Sequence, residues 1–192
     1  MDEHLHVCFK CTYNDAGYKS VCSDEIYAVN IREGRRWCEK APCRSFNGLP
    51  TKDNHPCYES IIFSEWRFGA GWDHKTVERP RKMNHTGLGK IAFLTTVKPG
   101  NEEEKRSIIG LFQISDMLGG EKQETVVIGA GEHKLIVPDG LQLHFWDFYR
   151  NPKAPERKVW GTGLFRYLDD TIARGILSRI EAYCSKNEAP DV

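Results

Sequence analysis

The sequence predicts an α+β protein with a small, curved or barrel-like mixed β-sheet flanked by helices. The chain has 192 residues, which is long enough to close one core. Its middle alternates short β-branched and aromatic runs with Gly and Pro turns, which is the pattern of many short strands. Its last region repeats apolar residues at helical spacing instead. Strands followed by a helix in this order are typical of an α+β fold.

The N-terminal region combines one strand, one helix and a loop rich in cysteine. Residues 6–12 alternate well enough to predict a first strand. Ser23 supplies an N-cap and Gly34 a stop, so a short helix is expected between them. Residues 34–60 hold turn-forming dipeptides and little apolar content, which predicts a loop.

The central region is predicted to be mostly strand. The apolar run Ile61–Trp66 is expected to be a strand, and the Gly-rich residues 67–89 are expected to form a long loop. A polar turn joins two stronger strand signals, Lys90–Val97 and Ser107–Ser115, which predicts a β-hairpin. Further short strands are expected at Thr125–Ile128, Lys134–Val137 and Leu141–Phe145.

A capped helix is predicted to close the chain. Asp169 and Asp170 precede apolar residues at helical spacing, namely Ile172, Ile176, Leu177, Ile180 and Tyr183. The resulting division is a cysteine-rich elaboration over residues 1–60, packed on a core over 61–185, with a polar tail or linker start at 186–192.

Composition narrows the class of protein. Lys and Arg number 27 and Asp and Glu number 27, which excludes a uniformly basic nucleic-acid binder but not a basic face. A hydrophobic content of 40% is too high for a disordered chain. No apolar run approaches the roughly 18–20 residues of a membrane span, and the N-terminal residues lack the features of a signal peptide. We therefore expect a cytoplasmic protein without a membrane partner.

The cysteines indicate a metal clip. Six of the seven lie in the first 57 residues, and an odd number without a signal peptide argues against a disulfide framework. A loop with little apolar content needs another source of stability, which a structural Zn²⁺ would supply. The predicted ligands are Cys22, Cys38, Cys43 and Cys57, with Cys8, Cys11 and His55 as alternative fourth ligands. Buried unpaired thiols and redox chemistry are the competing interpretations.

Basic and aromatic residues occur together in two segments. Residues 66–90 carry six basic and two acidic side chains, and residues 149–166 carry five and one. Basic side chains contact phosphates and planar rings stack on bases, so the repeated pairing favours nucleic-acid binding. The alternative is that the rings belong to the core and the charges to solvent. The predicted phosphate contacts are Lys75, Arg79, Arg81, Lys82, Arg157 and Lys158.

Catalytic patterns are weak. Asp116, Glu132 and Lys134 occur in the order in which metal-dependent nucleases hold Mg²⁺, but Glu132 follows Gly-Ala-Gly with no flanking helix. Cys57 lies near His55 without a visible third group to orient the pair. No P-loop, His-Glu-x-x-His or nucleophile elbow is present. We expect a binding domain and not an enzyme.

Three stretches resemble the PUA-like superfamily, in particular its EVE and YTH domains. They are residues 85–97 (His-Thr-Gly-Leu-Gly-Lys-Ile-Ala-Phe-Leu-Thr-Thr-Val), residues 107–114 (Ser-Ile-Ile-Gly-Leu-Phe-Gln-Ile) and residues 161–172, which begin Gly-Thr-Gly-Leu-Phe-Arg-Tyr. The resemblance covers about residues 60–183. The cysteine-rich first 57 residues look like the elaborations in DNA-recognition domains of modification-dependent restriction systems, including the N-terminal domains of McrB-type proteins.

The resemblance implies a reader of one flipped, modified base, either methylated adenine or a modified cytosine. The base pocket it implies is formed by Ser64, Trp66, Trp72 and Trp146. The implied partner is modified double-stranded DNA, and the implied context is the targeting part of a restriction system with a nuclease or motor. The alternatives are a small nuclease using Asp116, Glu132 and Lys134, or a zinc-stapled protein-interaction module.

Overall fold

The protein is an α+β fold in which a six-stranded sheet curls into a half-barrel. A computed structural model describes residues 4–40, 42–73, 79–161 and 163–187. The strands are β1 (His6–Lys10), β2 (Arg67–Gly69), β3 (Trp72–Asp73), β4 (Arg79–Pro80), β5 (Ile91–Thr96), β6 (Ser107–Leu118), β7 (Val126–Ile136) and β8 (Phe165–Leu168). The helices are α1 (Asp24–Arg32), α2 (Arg36–Lys40), α3 (Ile62–Glu65) and α4 (Asp170–Asn187).

The sheet is mixed, as predicted. Its strand order is β2-β7-β6-β5-β1-β8, and β3 and β4 form a separate two-stranded ribbon. Strand β1 pairs in parallel with β5 and antiparallel with β8, and the other neighbours are antiparallel. Strand β1 lies inside the sheet, so the sheet combines a strand from the first 60 residues with strands from the rest of the chain. The α+β class and the curved mixed sheet are therefore confirmed.

Side chains alternate between two apolar clusters, one on each face of the sheet. On β1, Val7 and Phe9 belong to the first cluster and Cys8 to the second. On β5, Leu94 belongs to the first cluster and Phe93 to the second. This alternation is the period of two that a strand imposes when both of its faces are covered. Helix α4 covers the second cluster with Ala173, Ile176 and Ile180.

The predicted hairpin is present, and the strands that follow it differ from the prediction. Strands β5 and β6 pair antiparallel, with Ile91 opposite Gln113. The two short strands expected at 125–128 and 134–137 form one strand, β7, whose pairing with β6 is irregular between them. A side chain at Gly129 would run into Phe112, so this bend depends on a glycine. The strand expected at 141–145 is replaced by a bridge between Ser107 and His144 and a 3₁₀ turn.

The strand predicted at Ile61–Trp66 is wrong. These residues form the short helix α3, and Trp66 ends it in the left-handed conformation with φ of 49°. A short apolar run has the same composition in a buried helix and in a strand, so periodicity could not separate them. The loop expected at 67–89 contains β2, β3 and β4. The loop expected at 34–60 contains α2 and two 3₁₀ turns.

Both predicted helices are confirmed with their caps. The Ser23 hydroxyl accepts from the backbone N–H of Ile26 at 3.2 Å. The Asp169 carboxylate accepts from the backbone N–H of Ile172 at 2.8 Å. Asp170 at the start of α4 also lies 3.0 Å from both His6 Nε2 and Lys90 Nζ, which ties the helix to β1 and β5. In the described part of the chain, no helix has the length and apolar character that a membrane crossing requires.

The buried guanidinium of Arg106 fixes the turn between β5 and β6. Arg106 is 1% exposed and forms a two-point ion pair with Glu103, with one N–H···O distance of 2.8 Å. Its Nη1 donates to Thr95 Oγ1 at 3.2 Å, and its guanidinium lies 4.8 Å from the centre of the Trp160 ring. One side chain therefore connects β5, the turn and the second cluster.

Replacing Arg106 by Met should lower the free energy of unfolding by about 3 kcal/mol, because Glu103 and Thr95 lose their partner in a buried setting. Urea denaturation followed by circular dichroism measures this change. The matched control is Arg179→Met, which alters an exposed arginine on α4 and should leave stability within about 0.5 kcal/mol. Equal effects of the two substitutions would contradict the role given to Arg106.

Candidate functional site

The curl of the sheet brings its two ends together along a seam. A side chain at Gly71, which follows β2, would run into Leu164, which precedes β8. The carbonyl of Leu164 also accepts from the N–H of Lys10 at 2.8 Å. Near the other end of β8, the rings of His85 and Tyr167 meet edge to face at 5.3 Å. The segments 66–90 and 149–166, which both pair basic with aromatic residues, are therefore neighbours in the fold.

In the first segment, residues 66–90, fewer basic side chains are placed to contact phosphate than the sequence predicts. Arg79 is exposed on β4, and Arg81 is half-buried. The ammonium of Lys82 donates to two backbone carbonyls of the β6–β7 turn, so this lysine has a structural role. Lys75, also a predicted phosphate contact, lies outside the described residues.

The second segment contains an open cleft of about 480 Å³. Arg150 and Lys158 are exposed at its edge, and Arg157 is exposed beside Lys158. None of these three cations forms an ion pair with the described part of the chain. The cleft joins the 3₁₀ turn after β7 to the loop that leads to β8, and it is lined by Trp146, Asp147, Tyr149, Arg150, Pro155, Glu156 and Lys158.

The rings at this cleft are anchored in the second cluster. Trp146 is 5% exposed, and its indole N–H donates to the carbonyl of Glu103 at 2.8 Å. Tyr149 stacks on Phe145 with a centroid distance of 5.1 Å and an interplanar angle of 19°. The guanidinium of Arg166 lies 5.3 Å from the Tyr149 ring centre. Both rings are therefore held by the core while they line the cleft.

Two of the predicted pocket residues lie on opposite faces of the sheet. Trp66 packs on the first cluster, with its ring 5.2 Å from that of Phe63 and the ammonium of Lys134 5.7 Å from its centre. Trp146 belongs to the second cluster. One pocket therefore cannot take walls from both tryptophans, because the sheet separates them.

The other two predicted pocket residues lie near the seam and the first cluster. The exposed Ser64 donates to the carbonyl of Ile61 at 3.2 Å, a contact within its own helical turn. Trp72 is half-buried on β3, opposite Pro80 of β4. Of the four residues, Trp146 alone lines the open cleft.

The residues of the nuclease alternative are spread along the β6–β7 hairpin. Asp116 is opposite Ile128, whereas Lys134 is opposite Phe112. Four residues of strand separate these two positions, which corresponds to about 13 Å. Lys134 is directed towards the Trp66 ring, and Glu132 is exposed. The hairpin therefore does not gather the three side chains around one point.

The four predicted zinc ligands line one small cavity of about 20 Å³. Cys22 precedes α1, Cys38 lies on α2, Cys43 lies on a 3₁₀ turn, and Cys57 precedes another. The rest of the lining comes from the chain after β1, from the first two helices and from the 3₁₀ turn after Cys57, namely Thr12, Tyr13, Asn14, Tyr27, Asn30, Trp37 and Glu59. Four segments of the sequence thus place a thiol at the same cavity.

The thiols differ in their ionisation. A hydrogen bond from Cys57 lowers the pKa of the Cys43 thiol to about 7, and the same bond together with burial raises the pKa of Cys57. Burial raises the pKa of Cys38 to about 12. Within the described ranges, no three His, Cys, Asp or Glu side chains are already close enough together to hold a metal ion.

The alternative fourth ligands lie elsewhere. Cys8 and Cys11 are buried in the second and first clusters, respectively. Burial raises the pKa of Cys8 to about 12. His55 packs on the ring of Tyr58 at 5.4 Å, and its Nδ1 lies 3.0 Å from the carbonyl of Thr51. None of these three residues lines the cavity.

Comparison of the chain with family models, with curated proteins and with solved structures finds no match. The interpretation of its site therefore depends on its own residues.

Replacing Gly71 by Ala should destabilise the protein more than replacing Gly89 by Ala. Both glycines have positive φ, 75° and 78°, so each substitution costs about 1 kcal/mol of backbone strain. Gly71 alone also has Leu164 in the path of the new methyl group, whereas Gly89 has open space. We expect a difference of about 1 kcal/mol in urea denaturation, which the added change Leu164→Ala should reduce. Equal losses for the two alanine variants would show that the seam is not closely packed.

Proposed function

We propose that this chain binds modified double-stranded DNA along the seam and reads one base, a methylated adenine or a modified cytosine, in the cleft beside Trp146. The observation that supports it most directly is the cleft itself, where two aromatic rings, two cations and two carboxylates surround a volume of about 480 Å³. Small-molecule sites in proteins have volumes of about 300–1,000 Å³ and combine apolar walls with a few polar groups.

Charge at the cleft supports contact with the DNA backbone. Arg150, Arg157 and Lys158 are exposed and form no ion pair with the described residues. Cations at a surface release counterions from DNA when they bind its phosphates. Arg79 and Arg81 belong to the other segment at the seam, so cations from both segments can follow one duplex.

The polar groups of the cleft suit the edge of a base. Carboxylates accept hydrogen bonds from the exocyclic amino groups of cytosine and adenine. Asp147 and Glu156 place such acceptors in the same cleft as Trp146 and Tyr149. A base has to leave the duplex to reach them, as it does for proteins that flip their target nucleotide. The cleft would therefore test an extruded base while the cations hold the strand.

Replacing Arg150 and Lys158 together by Ala should weaken binding to every duplex. Two lost phosphate contacts should lower the slope of log K against log salt by about 2. Fluorescence anisotropy over a series of salt concentrations measures this slope. The matched control, Arg179→Ala with Lys186→Ala, removes the same charge from the exposed face of α4 and should leave the slope unchanged. An unchanged slope in the cleft variant would overturn the assignment of the backbone contacts.

Replacing Trp146 by Phe should remove the preference for a modified base. We would measure anisotropy on four matched duplexes: unmodified, N6-methyladenine, 5-methylcytosine and 5-hydroxymethylcytosine. The expected preference of the unchanged chain for one modification is about tenfold, or about 1.4 kcal/mol. The matched control is Trp160→Phe, which makes the same change in the same cluster without lining the cleft.

Three results would count against the proposal. Loss of preference in Trp72→Phe, with Trp146→Phe unaffected, would place the pocket at β3. Cleavage of DNA in the presence of Mg²⁺ would favour the nuclease interpretation. No binding to any duplex would favour the protein-interaction module. If the proposal holds, the resemblance to restriction-system domains assigns this chain to the targeting part of an effector with a nuclease or motor.

A further inference from the structure

We propose that Cys22, Cys38, Cys43 and Cys57 bind one structural Zn²⁺ in the cavity that they line. The inference goes beyond DNA binding and does not depend on it. A cavity that accommodates one water needs about 10–15 Å³, so a cavity of about 20 Å³ is the size of a single ion and too small for an organic ligand. Four thiolates are a common ligand set of structural zinc sites.

The surrounding segment lacks a core of its own. Among the described residues between Tyr18 and Ile61, Cys43 carries the one buried apolar side chain that is not a proline. A segment of this length cannot hold a unique conformation through so little apolar burial. Zinc binding supplies folding free energy directly where hydrophobic burial is insufficient.

The structure selects the ligand set from the seven cysteines. Cys8 and Cys11 are part of the two clusters that cover the sheet, and Cys184 lies on α4 beside the second cluster. The four remaining cysteines line the cavity. Binding requires the thiols to turn towards the centre until each sulfur is about 2.3 Å from the metal.

Nearby cations suit the charge of such a site. Zinc with four thiolates carries a net charge of −2. The Nη2 atom of Arg44 donates to the carbonyl of Cys22, one of the cysteines at the cavity, at 2.6 Å. Arg44 is held in place by Asp24 and by the carbonyl of Cys22. Arg44, itself paired with Asp24, would therefore bring a cation close to the negative charge of the site.

The metal would also support the DNA-binding seam. Cys57 leads directly into the 3₁₀ turn of Tyr58, whose hydroxyl donates to the Glu124 carboxylate at 3.0 Å. The same carboxylate accepts from the backbone N–H of Gly71, the glycine at the seam. Fixing Cys57 therefore fixes a chain of contacts that ends at the seam.

Metal analysis of the full chain, purified without chelators, tests the proposal. We expect one equivalent of zinc per chain, and Co²⁺ substituted for it should show the thiolate-to-metal charge-transfer absorption of a tetrahedral site. Cys38→Ser, Cys43→Ser and Cys57→Ser should each weaken Co²⁺ binding by at least about tenfold. The matched control, Cys184→Ser, should bind as the unchanged chain does.

Alkylation of the unchanged chain keeps the test independent of variants that fail to fold. Removal of the metal by a chelator should expose Cys22, Cys38, Cys43 and Cys57 to iodoacetamide, as read by mass spectrometry, with little change at Cys8 and Cys11. Iron in place of zinc, protection of a different set of thiols, or a Cys43–Cys57 disulfide in the purified chain would overturn the proposal. Absence of bound metal together with no Co²⁺ absorption would do the same.

Discussion

Strand β1 lies between β5 and β8 and packs against an apolar cluster on each of its two faces. Both clusters and both halves of the sheet therefore depend on it. Val7 and Phe9 face the first cluster, and Cys8 faces the second. Its parallel pairing with β5 and antiparallel pairing with β8 join the first and last parts of the sequence in one sheet. The cysteine-lined cavity follows directly from β1, because Thr12, Tyr13 and Asn14 form part of its wall. Without β1 the sheet would lose both its continuity and its curl.

The curl of the sheet makes neighbours of two segments that are far apart in sequence. Gly71 meets Leu164, so the two segments approach each other there. Trp146 and Tyr149 are held by the core and also line the cleft.

The sequence predicted the elements with long periodic patterns and missed those that depend on tertiary context. Helix α4 and the β5–β6 hairpin were predictable because caps, turn residues and apolar spacing agree there. Helix α3 was not predictable, because the apolar run Ile61-Ile62-Phe63 suits a buried strand as well as a buried helix. The helix ends at Trp66, which adopts the left-handed conformation. The cleft was predictable only in part. Trp146 and Lys158 stand out by residue type, whereas Pro155 and Glu156 become lining residues through the path of the loop. The thiol set was chosen by spacing, but the placement of Cys22 beside the other three required the fold.

The position of β1 has a consequence for how the chain reaches its structure. Phe9 and its partner Thr95 are 86 positions apart, and His6 and Asp170 are 164 positions apart. A chain emerging from the ribosome cannot complete the sheet until nearly all of it is available, whereas the β5–β6–β7 hairpins form from local contacts. Folding rates fall as contacting residues become more distant in sequence. Synthesis would therefore pass through a period in which β1 can pair with β5 but has an open edge on its other side, until β8 has been made.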